Sequence, residues 1–263
     1  MTQVGFVGAG RMGTPMVARL VGAGHQVTAL GRTEETRAAI AGLGASAVAT
    51  VADVVDGADV VVVCLFTDDQ VSRLCLDGEL VAMMVPGSSL VLHTTGSPKT
   101  AQIIASTHQH VDVIDAPVSG GPHDIAAGTV TLFAGGDDAA FERTRTVLAS
   151  YADPILHTGP TGTGQIVKLV NNTLFAAQIA LVAQGVRLGS RLGVDEEGLL
   201  NALVHGSAQS RVLSMVAAAG STEKFVSAVG EFIGKDVEVV RETVAGLGGD
   251  LGELDRLVRT VTA

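Results

Sequence analysis

The sequence predicts an α/β fold with a doubly wound parallel sheet, followed by a long helix and an all-helical C-terminal domain. Two observations support this prediction. Up to about residue 158, short apolar runs alternate with helical stretches, as in a parallel sheet built from strand–helix units. After the glycine-rich segment 159–164 the alternation stops, and only helical segments follow. We therefore divide the 263-residue chain into a sheet domain, residues 1–160, and a helical domain, residues 161–263.

The elements of the sheet domain follow from the apolar runs. The predicted strands are Val4–Gly8, Gln26–Leu30, Asp59–Leu65, Ser89–His93, Val111–Asp115, Val130–Ala134 and Pro154–His157. The helices predicted between the early strands are Met12–Val21, Glu34–Ala41 and Pro98–Thr107. The run Val60–Leu65 is apolar at every position, which is typical of a strand in a sheet covered on both faces.

The helical domain begins with one long apolar helix, predicted at about residues 165–192. This stretch contains Asn171, Asn172, Gln178 and Gln184, whose amides would be costly to bury in lipid, so a helix buried in protein fits better than a membrane span. A helix that is apolar on several sides needs more cover than one small domain offers. We therefore expect a second subunit to cover it in a homodimer.

Composition excludes several classes of function. The formal net charge is −10 and no block of basic residues is present, which argues against a nucleic-acid partner. The two cysteines, Cys64 and Cys75, lie 75 − 64 = 11 residues apart, a spacing typical of neither a metal site nor a disulfide framework. No secretory signal is visible at the start of the sequence. These features predict a cytoplasmic protein with no metal site and no membrane partner.

A glycine-rich turn follows the first predicted strand. Its sequence, Gly8-Ala9-Gly10-Arg11-Met12-Gly13, has the GxGxxG spacing and leads into a helix. Gly8 permits a tight turn, Gly10 lets the backbone approach a pyrophosphate, and Gly13 allows close packing of helix on strand. The helix N-terminus then offers N–H groups to the phosphates. We predict a dinucleotide site of the Rossmann type; the alternative is a turn that packs a helix on a sheet without a ligand.

The end of the second strand favours NADP(H) over NAD(H). An NAD site usually carries an acidic residue about 20 residues beyond the glycines. Here that place holds Arg32, at 32 − 13 = 19 residues beyond Gly13, followed by Thr33. Arginine can pair with a 2′-phosphate, and the Thr33 hydroxyl can add a donor. The alternative is a solvated surface arginine, while Glu34 and Glu35 are expected to start the next helix.

Two further motifs carry polar residues suited to a small carboxylate substrate. In Asp115-Ala116-Pro117-Val118-Ser119-Gly120-Gly121, Ser119 supplies a hydroxyl, and the two glycines can present N–H groups to an anion. Alone, this segment reads as a turn between strands. In the long helix, Lys168 and Asn172 are spaced i, i+4 and share a face among apolar residues. The alternative for Lys168 is a side chain that reaches the surface.

A last motif, Gly234-Lys235-Asp236-Val237, is by itself only a charged pair. In this order, however, the four motifs resemble the β-hydroxyacid dehydrogenase family, which includes 3-hydroxyisobutyrate dehydrogenases and semialdehyde reductases. The resemblance covers nearly the whole chain. It implies a Rossmann domain, an interdomain helix and a helical C-terminal domain, and it implies an oxidoreductase acting on a semialdehyde or keto acid and its hydroxy acid.

The resemblance also assigns roles to residues of this sequence. Lys168 would be the catalytic general acid and base. Substrate would be held by Ser119, Gly120, Gly121, Asn172 and Lys235. The cofactor would be held by Gly8, Gly10, Arg11, Met12, Gly13, Arg32, Thr33, Leu65, Thr95, Lys235 and Asp236.

The sequence departs from the family pattern beside the substrate motif. His123 and Asp124 stand where the family has small residues, and they would either line the pocket or form a solvated loop, of which we favour the loop. Imine reductases share the scaffold but generally carry another residue in place of Lys168, so imine reduction is the enzymatic alternative. The non-enzymatic alternative is a protein that binds NADP without catalysis.

Overall fold

The structure is a computed structural model that describes residues 1–246 and 248–262. The chain forms two compact units, Met1–Lys168 and a second that begins at Leu169. The boundary predicted from the sequence lies after residue 160, whereas the first unit extends to Lys168. The first turns of the long helix are therefore part of the sheet unit.

The first unit alternates strands and helices as predicted. Its strands are β1 (Gln3–Val7), β2 (Gln26–Leu30), β3 (Ser46–Val48), β4 (Val60–Val63), β5 (Ser89–Leu92), β6 (Asp112–Asp115), β7 (Val118–Ser119), β8 (Val130–Gly135) and β9 (Ala152–Gly159). Its helices are α1 (Gly13–Gly22), α2 (Glu34–Gly42), α3 (Val51–Val55), α4 (Asp68–Cys75), α5 (Pro98–Thr107), α6 (Pro122–Ala127) and α7 (Asp138–Leu148), and α8 (Thr163–Arg191) begins in this unit.

The sheet confirms the doubly wound Rossmann core. Its strand order is β3-β2-β1-β4-β5-β6-β8-β7, with β9 paired to β8. The strands from β3 to β6 are parallel, and the order reverses direction between β1 and β4, which is where such folds bind dinucleotides. The sheet is not parallel throughout, because β8 pairs antiparallel with β6 and β7.

Strand β4 shows why its sequence is apolar at every position. Val60 and Val62 pack into the hydrophobic cluster on one face of the sheet, and Val61 and Val63 pack into the cluster on the other. Successive side chains of a strand point to opposite faces, so a strand with helices on both sides needs apolar residues throughout. The two-sided burial predicted for this run is confirmed.

Two strands, β3 and β7, are absent from our sequence-based prediction. Strand β7 has only two residues, and it is defined by its pairing with β8, in which Ser119 lies opposite Thr131. Strand β3 has three residues and extends the edge of the sheet beside β2. Runs this short carry too little periodicity to be recognised without their partners.

The described residues of the second unit form the rest of α8 and four further helices. These are α9 (Glu196–Leu203), α10 (Arg211–Ala219), α11 (Thr222–Gly246) and α12 (Glu253–Thr262). Their core joins Ile179 of α8 to Leu213, Phe225 and Val258. The long helix predicted at about 165–192 is observed at Thr163–Arg191, and the described part of this unit contains no strand.

Helix α8 is long and apolar enough to cross a membrane by length and composition alone. Its most apolar window has a mean hydropathy of 1.5, and 33% of that window is buried. Within the window, the Asn172 amide is buried and donates a hydrogen bond to Asp236. A buried amide with a protein partner favours packing against protein over a membrane span.

A buried histidine, His93, gives the first unit a pH-dependent stability. His93 is 2% exposed; its Nδ1 donates to the Ala116 carbonyl oxygen at 2.6 Å, and its Nε2 accepts from the Tyr151 hydroxyl at 2.8 Å. Burial lowers the pKa of His93 from 6.5 to about 4. His93 therefore binds a proton below pH 6.5 in the unfolded chain but only below about pH 4 in the folded chain.

We expect the stability that comes from neutral His93 to be complete above pH 6.5 and to be lost as pH falls towards 4, by about 3 kcal/mol in all. Because other groups also titrate, the measurement is the difference in unfolding free energy between the natural protein and His93→Gln, whose amide can keep both hydrogen bonds. As pH falls from 6.5 to 4, the natural protein should lose more unfolding free energy than His93→Gln does. Parallel pH curves for the two proteins would contradict the assignment.

Candidate cofactor and active site

The glycine turn after β1 has the geometry that a dinucleotide site needs. Gly8 has φ +103°, and a Cβ there would overlap the Cys64 carbonyl oxygen. A Cβ on Gly13 would overlap the Gly8 carbonyl oxygen, so Gly13 permits the close approach of α1 to the turn. At Gly10, by contrast, no atom lies within 4 Å of an added Cβ. The turn is tightly packed behind and open at Gly10, where a pyrophosphate would approach.

The start of α1 lacks the side-chain cap found on its neighbours. Its N-cap residue, Met12, makes no side-chain hydrogen bond, and its first turn contains no acidic residue. Thr33, Thr67 and Ser97 cap α2, α4 and α5 through their hydroxyls. An uncapped helix start beside a glycine turn suits a phosphate group, which supplies the missing acceptor and the negative charge. Of the other predicted residues here, Arg11 is exposed.

The end of β2 presents an arginine to solvent. Arg32 is exposed, and no hydrogen bond or ion pair joins its side chain to the described residues. The Thr33 hydroxyl accepts a hydrogen bond from the Thr36 N–H at 3.1 Å and so caps α2, and Glu34 begins that helix as predicted. Sequence reasoning missed Arg37, whose Nη1 donates to the Gly31 carbonyl oxygen at 2.9 Å. The end of β2 therefore has one arginine, Arg32, in the loop that follows it and a second, Arg37, bonded to it from α2.

The loops after β4 and β5 are joined by Thr94. Its hydroxyl accepts from the Leu65 N–H at 2.9 Å and donates to the Leu65 carbonyl oxygen at 3.0 Å. The predicted cofactor residues Leu65 and Thr95 are both half-buried and lie in these two loops. Cys64, beside Leu65, has its pKa raised to about 12 by burial, so it stays a thiol and packs against the core.

The glycine pair of the substrate motif differs in part from the prediction. Gly120 has φ +142°, and Ser119 before it is half-buried in β7. The Gly121 N–H, however, donates to the Asp124 carboxylate at 2.7 Å, so this donor already has a protein acceptor. The segment with His123 and Asp124 is the first turn of α6 and not the predicted loop, but the His123 side chain is solvated, at 85% exposure, as favoured. Asp124 caps this helix and pairs with His123.

Lys168 is a buried residue near the start of α8. It is 9% exposed and has interactions within the described chain. Before it at the start of the helix, the Gly162 N–H donates to Asp115 Oδ1 at 2.5 Å, and the Gln165 N–H donates to Asp115 Oδ2 at 2.7 Å. Asp115 is fully buried, and desolvation raises its pKa to about 7 against the opposing effect of these hydrogen bonds. The interpretation of Lys168 as a lysine that reaches the surface does not fit its burial.

Asn172 and Asp236 meet within the second unit. Asn172 Nδ2 donates to Asp236 Oδ2 at 2.6 Å, and the Asn172 side chain is buried. Sequence reasoning named both residues from separate motifs, and the structure joins them directly. The Lys235 side chain lies outside the part of the chain that the structure describes.

Two family models together match most of the chain. Residues 3–159 match the NAD binding domain of 6-phosphogluconate dehydrogenase, and residues 162–255 match the model described as NAD-binding of NADP-dependent 3-hydroxyisobutyrate dehydrogenase. The chain belongs to the β-hydroxyacid dehydrogenase family. The family, the Rossmann core and the nicotinamide class of cofactor predicted from the sequence are thereby confirmed.

Known relatives of this β-hydroxyacid dehydrogenase cover most of its length. An NAD-dependent L-serine dehydrogenase of Pseudomonas aeruginosa is 36% identical over 202 residues, which are 76% of this chain and 68% of the relative. A probable 3-hydroxyisobutyrate dehydrogenase of Mycobacterium bovis is 34% identical over 77% of this chain and 69% of the relative. The structure of the Mycobacterium tuberculosis 3-hydroxyisobutyrate dehydrogenase with L-serine has a TM-score of 0.88 at 28% identity, covering 99% and 92% of the two chains.

The sequence analysis assigns no role to two buried polar residues that meet at the start of α8 in this β-hydroxyacid dehydrogenase. Asp115 is only the first residue of the predicted substrate motif, and Gln165 has no predicted role. A buried carboxylate at a strand end is a recognisable signal, since an ionised group in the core needs donors. Its partners, however, lie 47 and 50 residues further along the chain.

Proposed function

We propose that this chain is an NADP-dependent oxidoreductase that interconverts a small semialdehyde or keto acid and its hydroxy acid. The observation that carries the proposal is a buried lysine, Lys168, at the start of a helix that begins against the carboxyl ends of the Rossmann strands. A buried amine is costly unless it has a task or partners, and acid–base catalysis is such a task.

The proposed reaction is a hydride transfer coupled to a proton transfer. When bound, the nicotinamide supplies a hydride to the substrate carbon or accepts one from it. In the reducing direction negative charge develops on the carbonyl oxygen, and the Lys168 ammonium stabilises that charge and donates a proton to it. In the oxidising direction, the neutral Lys168 amine removes the hydroxyl proton. Ser119 and Gly120 would hold the substrate carboxylate.

The preference for NADP(H) rests on Arg32. An exposed guanidinium at the end of β2 can bond a 2′-phosphate, and Arg37 adds a second positive charge on the following helix. The nearest acidic residues in the sequence, Glu34 and Glu35, lie in the first turn of α2 and not at the end of β2. The L-serine dehydrogenase relative is NAD-dependent by name, so the two cofactors need direct comparison.

The substrate class is suggested by the relatives. 3-Hydroxyisobutyrate and L-serine both carry a hydroxyl on the carbon next but one to a carboxylate, and both give semialdehydes on oxidation. We therefore infer a β-hydroxy acid as the reduced substrate. The Asp124 carboxylate, which accepts the Gly121 N–H, adds a negative charge beside the predicted carboxylate site. This charge favours a small substrate or one that carries an amino group over a substrate with two carboxylates.

A substrate panel tests the proposal. NADPH and NADH oxidation would be measured with glyoxylate and with succinic, methylmalonate and tartronate semialdehydes, and NADP⁺ reduction with 3-hydroxyisobutyrate and L-serine. We expect turnover of at least one semialdehyde, with NADPH preferred. A cyclic imine is the comparison substrate, and turnover of the imine alone would favour imine reduction. NADPH binding without turnover of any substrate would indicate a protein that only holds the cofactor.

We also propose that the protein is a homodimer through α8. Val170, Leu174, Leu181 and Leu188 are all exposed, and the last three recur every seven residues on one face of the helix. A continuous apolar stripe of this kind marks a contact surface, and closed homodimers are the commonest soluble assemblies.

Light scattering should give twice the chain mass of 26.7 kDa. Leu181→Lys should shift the protein towards monomer on dilution, because it places a charge inside the apolar stripe. Ile103→Lys, at an exposed apolar residue of α5, is the matched control and should leave the mass unchanged. A natural protein that stays monomeric across concentrations would contradict the dimer.

A further inference from the structure

The start of α8 is held by a carboxylate from the sheet. Asp115, the last residue of β6, accepts the Gly162 N–H on Oδ1 at 2.5 Å and the Gln165 N–H on Oδ2 at 2.7 Å. The acceptor lies far from the helix in sequence, unlike the adjacent caps of α2, α4 and α5. Asp115 therefore does more than satisfy the first N–H groups: it ties the helix start to one strand of the sheet.

Gln165 ties the same helix turn to a second strand end. Its side chain is 3% exposed and uses both ends of the amide: Oε1 accepts from the Gly96 N–H at 3.0 Å, and Nε2 donates to the Thr94 carbonyl oxygen at 2.8 Å. Thr94 is bonded in turn to Leu65 after β4. We call Thr94, Gly96, Asp115 and Gln165 the α8 clamp.

The start of α8 packs closely against the sheet at the α8 clamp. A Cβ on Gly164 would lie 2.5 Å from the Asp115 carbonyl oxygen and would overlap the Phe133 carbonyl oxygen. A Cβ on Gly135 would lie 2.6 Å from Asp115 Oδ1 and 2.8 Å from the Gly164 nitrogen. The helix start thus touches the backbone of β6 and β8 through glycine, and any shift of its first turn would break hydrogen bonds or cause overlap.

Lys168 lies three residues after Gln165, so the two side chains are neighbours on one helix face. A helix turn held against two strand ends fixes both the height and the rotation of the residue one turn further on. The loop that Gln165 grips, Thr94–Gly96, includes Thr95, a residue assigned to the cofactor by the family resemblance.

We propose that Asp115 and Gln165 are positioning residues, which set the distance between the Lys168 amine and the cofactor-side loop at Thr94–Gly96. The proposal rests on the proposed acid–base function of Lys168. A misplacement of about 1 Å in a catalytic group can lower the rate about 100-fold, so the loss of either residue affects the chemical step more than binding.

Gln165→Met keeps the length of the side chain and removes both amide hydrogen bonds. We expect kcat to fall about 10- to 100-fold with the KM for NADPH within about twofold of its natural value. We also expect a larger kinetic isotope effect with 4-deuterated NADPH, because the chemical step becomes more rate-limiting. Asp115→Asn, which turns one acceptor oxygen into a donor facing an N–H group, should act in the same direction.

Thr144→Val is the matched control. Its hydroxyl is buried and donates within α7 to the carbonyl oxygens of Ala140 and Phe141, away from α8, so its loss should lower stability and leave kcat and the isotope effect unchanged. If Gln165→Met only reduces the fraction of active protein, with an unchanged isotope effect, its role is structural and the proposal is overturned. A kcat within twofold of the natural value also overturns it.

A second readout needs no substrate. The rate at which an amine-acylating reagent modifies Lys168, followed by mass spectrometry, should rise at least threefold in Gln165→Met and stay unchanged in Thr144→Val. Equal rates in all three proteins would show that the α8 clamp does not hold Lys168. If labelling rises but Lys168→Met keeps full activity, the proposed function fails while the clamp itself is supported, so the two failures are distinguishable.

Discussion

Replacing Lys168 with methionine is expected to lower kcat by about three orders of magnitude, within the range of about 10²–10⁴ that a general acid–base supplies. Methionine keeps most of the length and the apolar stem of lysine but removes the ammonium. The developing charge on the substrate oxygen then has neither its stabilising cation nor its proton donor. Since Lys168 is buried, methionine also fills the space of the lysine stem, so the packing should be preserved although the interactions of the ammonium are lost.

The measurement is steady-state turnover in both directions, together with NADPH binding by fluorescence. NADPH affinity should change by less than about threefold, because Lys168 is not among the predicted cofactor contacts. Lys99→Met, at an exposed lysine in the first turn of α5, is the control and should retain normal kcat. Normal turnover by Lys168→Met would remove the basis of the proposed mechanism.

Replacing Arg32 with glutamate is expected to reverse the cofactor preference. Hydrogen bonds to a charged group are worth about 1.5–3 kcal/mol, so kcat/KM for NADPH should fall by about 10- to 150-fold, and further from charge repulsion. For NADH the change should be small or favourable, since a carboxylate at this position can accept from the ribose 2′-hydroxyl.

The comparison of the two cofactors is itself an internal control for Arg32→Glu, because a folding defect would lower both activities alike. Arg145→Glu, at an exposed arginine of α7, adds a control for the change in net charge. Arg37→Met measures the contribution of Arg37 separately from that of Arg32. An equal loss of activity with NADPH and NADH in Arg32→Glu would show that Arg32 does not recognise the 2′-phosphate.

Much of the Rossmann unit could be predicted from local sequence. Strand β2 was predicted with the observed bounds, and α8 within two residues of them, because each is an apolar run with clear ends. The glycines at 8, 10 and 13 were predictable for another reason: a tight turn, an open approach and a close helix contact each exclude a side chain, and the coordinates show all three conditions.

The candidate site was predicted less completely. Ser119, Lys168, Asn172 and Asp236 were all named, but the hydrogen bond that joins Asn172 to Asp236 was not predicted. Asp124 on the Gly121 N–H was missed because the segment 121–125 has glycine and proline at its start, which is typical of a loop as well as of a short helix. Gln165 was missed because a glutamine in an apolar helix has no periodic signal of its own.

By itself, the sequence determined the alternation of strands and helices in the first unit, the dinucleotide turn and the lysine-bearing helix. These depend on spacings of a few residues, where backbone conformation and apolar periodicity act locally. Only the tertiary structure decided that Asp115 caps α8, that Gln165 grips the loop after β5, that Asn172 pairs with Asp236, and that β8 runs antiparallel to β6. The physical reason is that a buried polar group must find a partner in space, and that partner can lie at any distance along the chain.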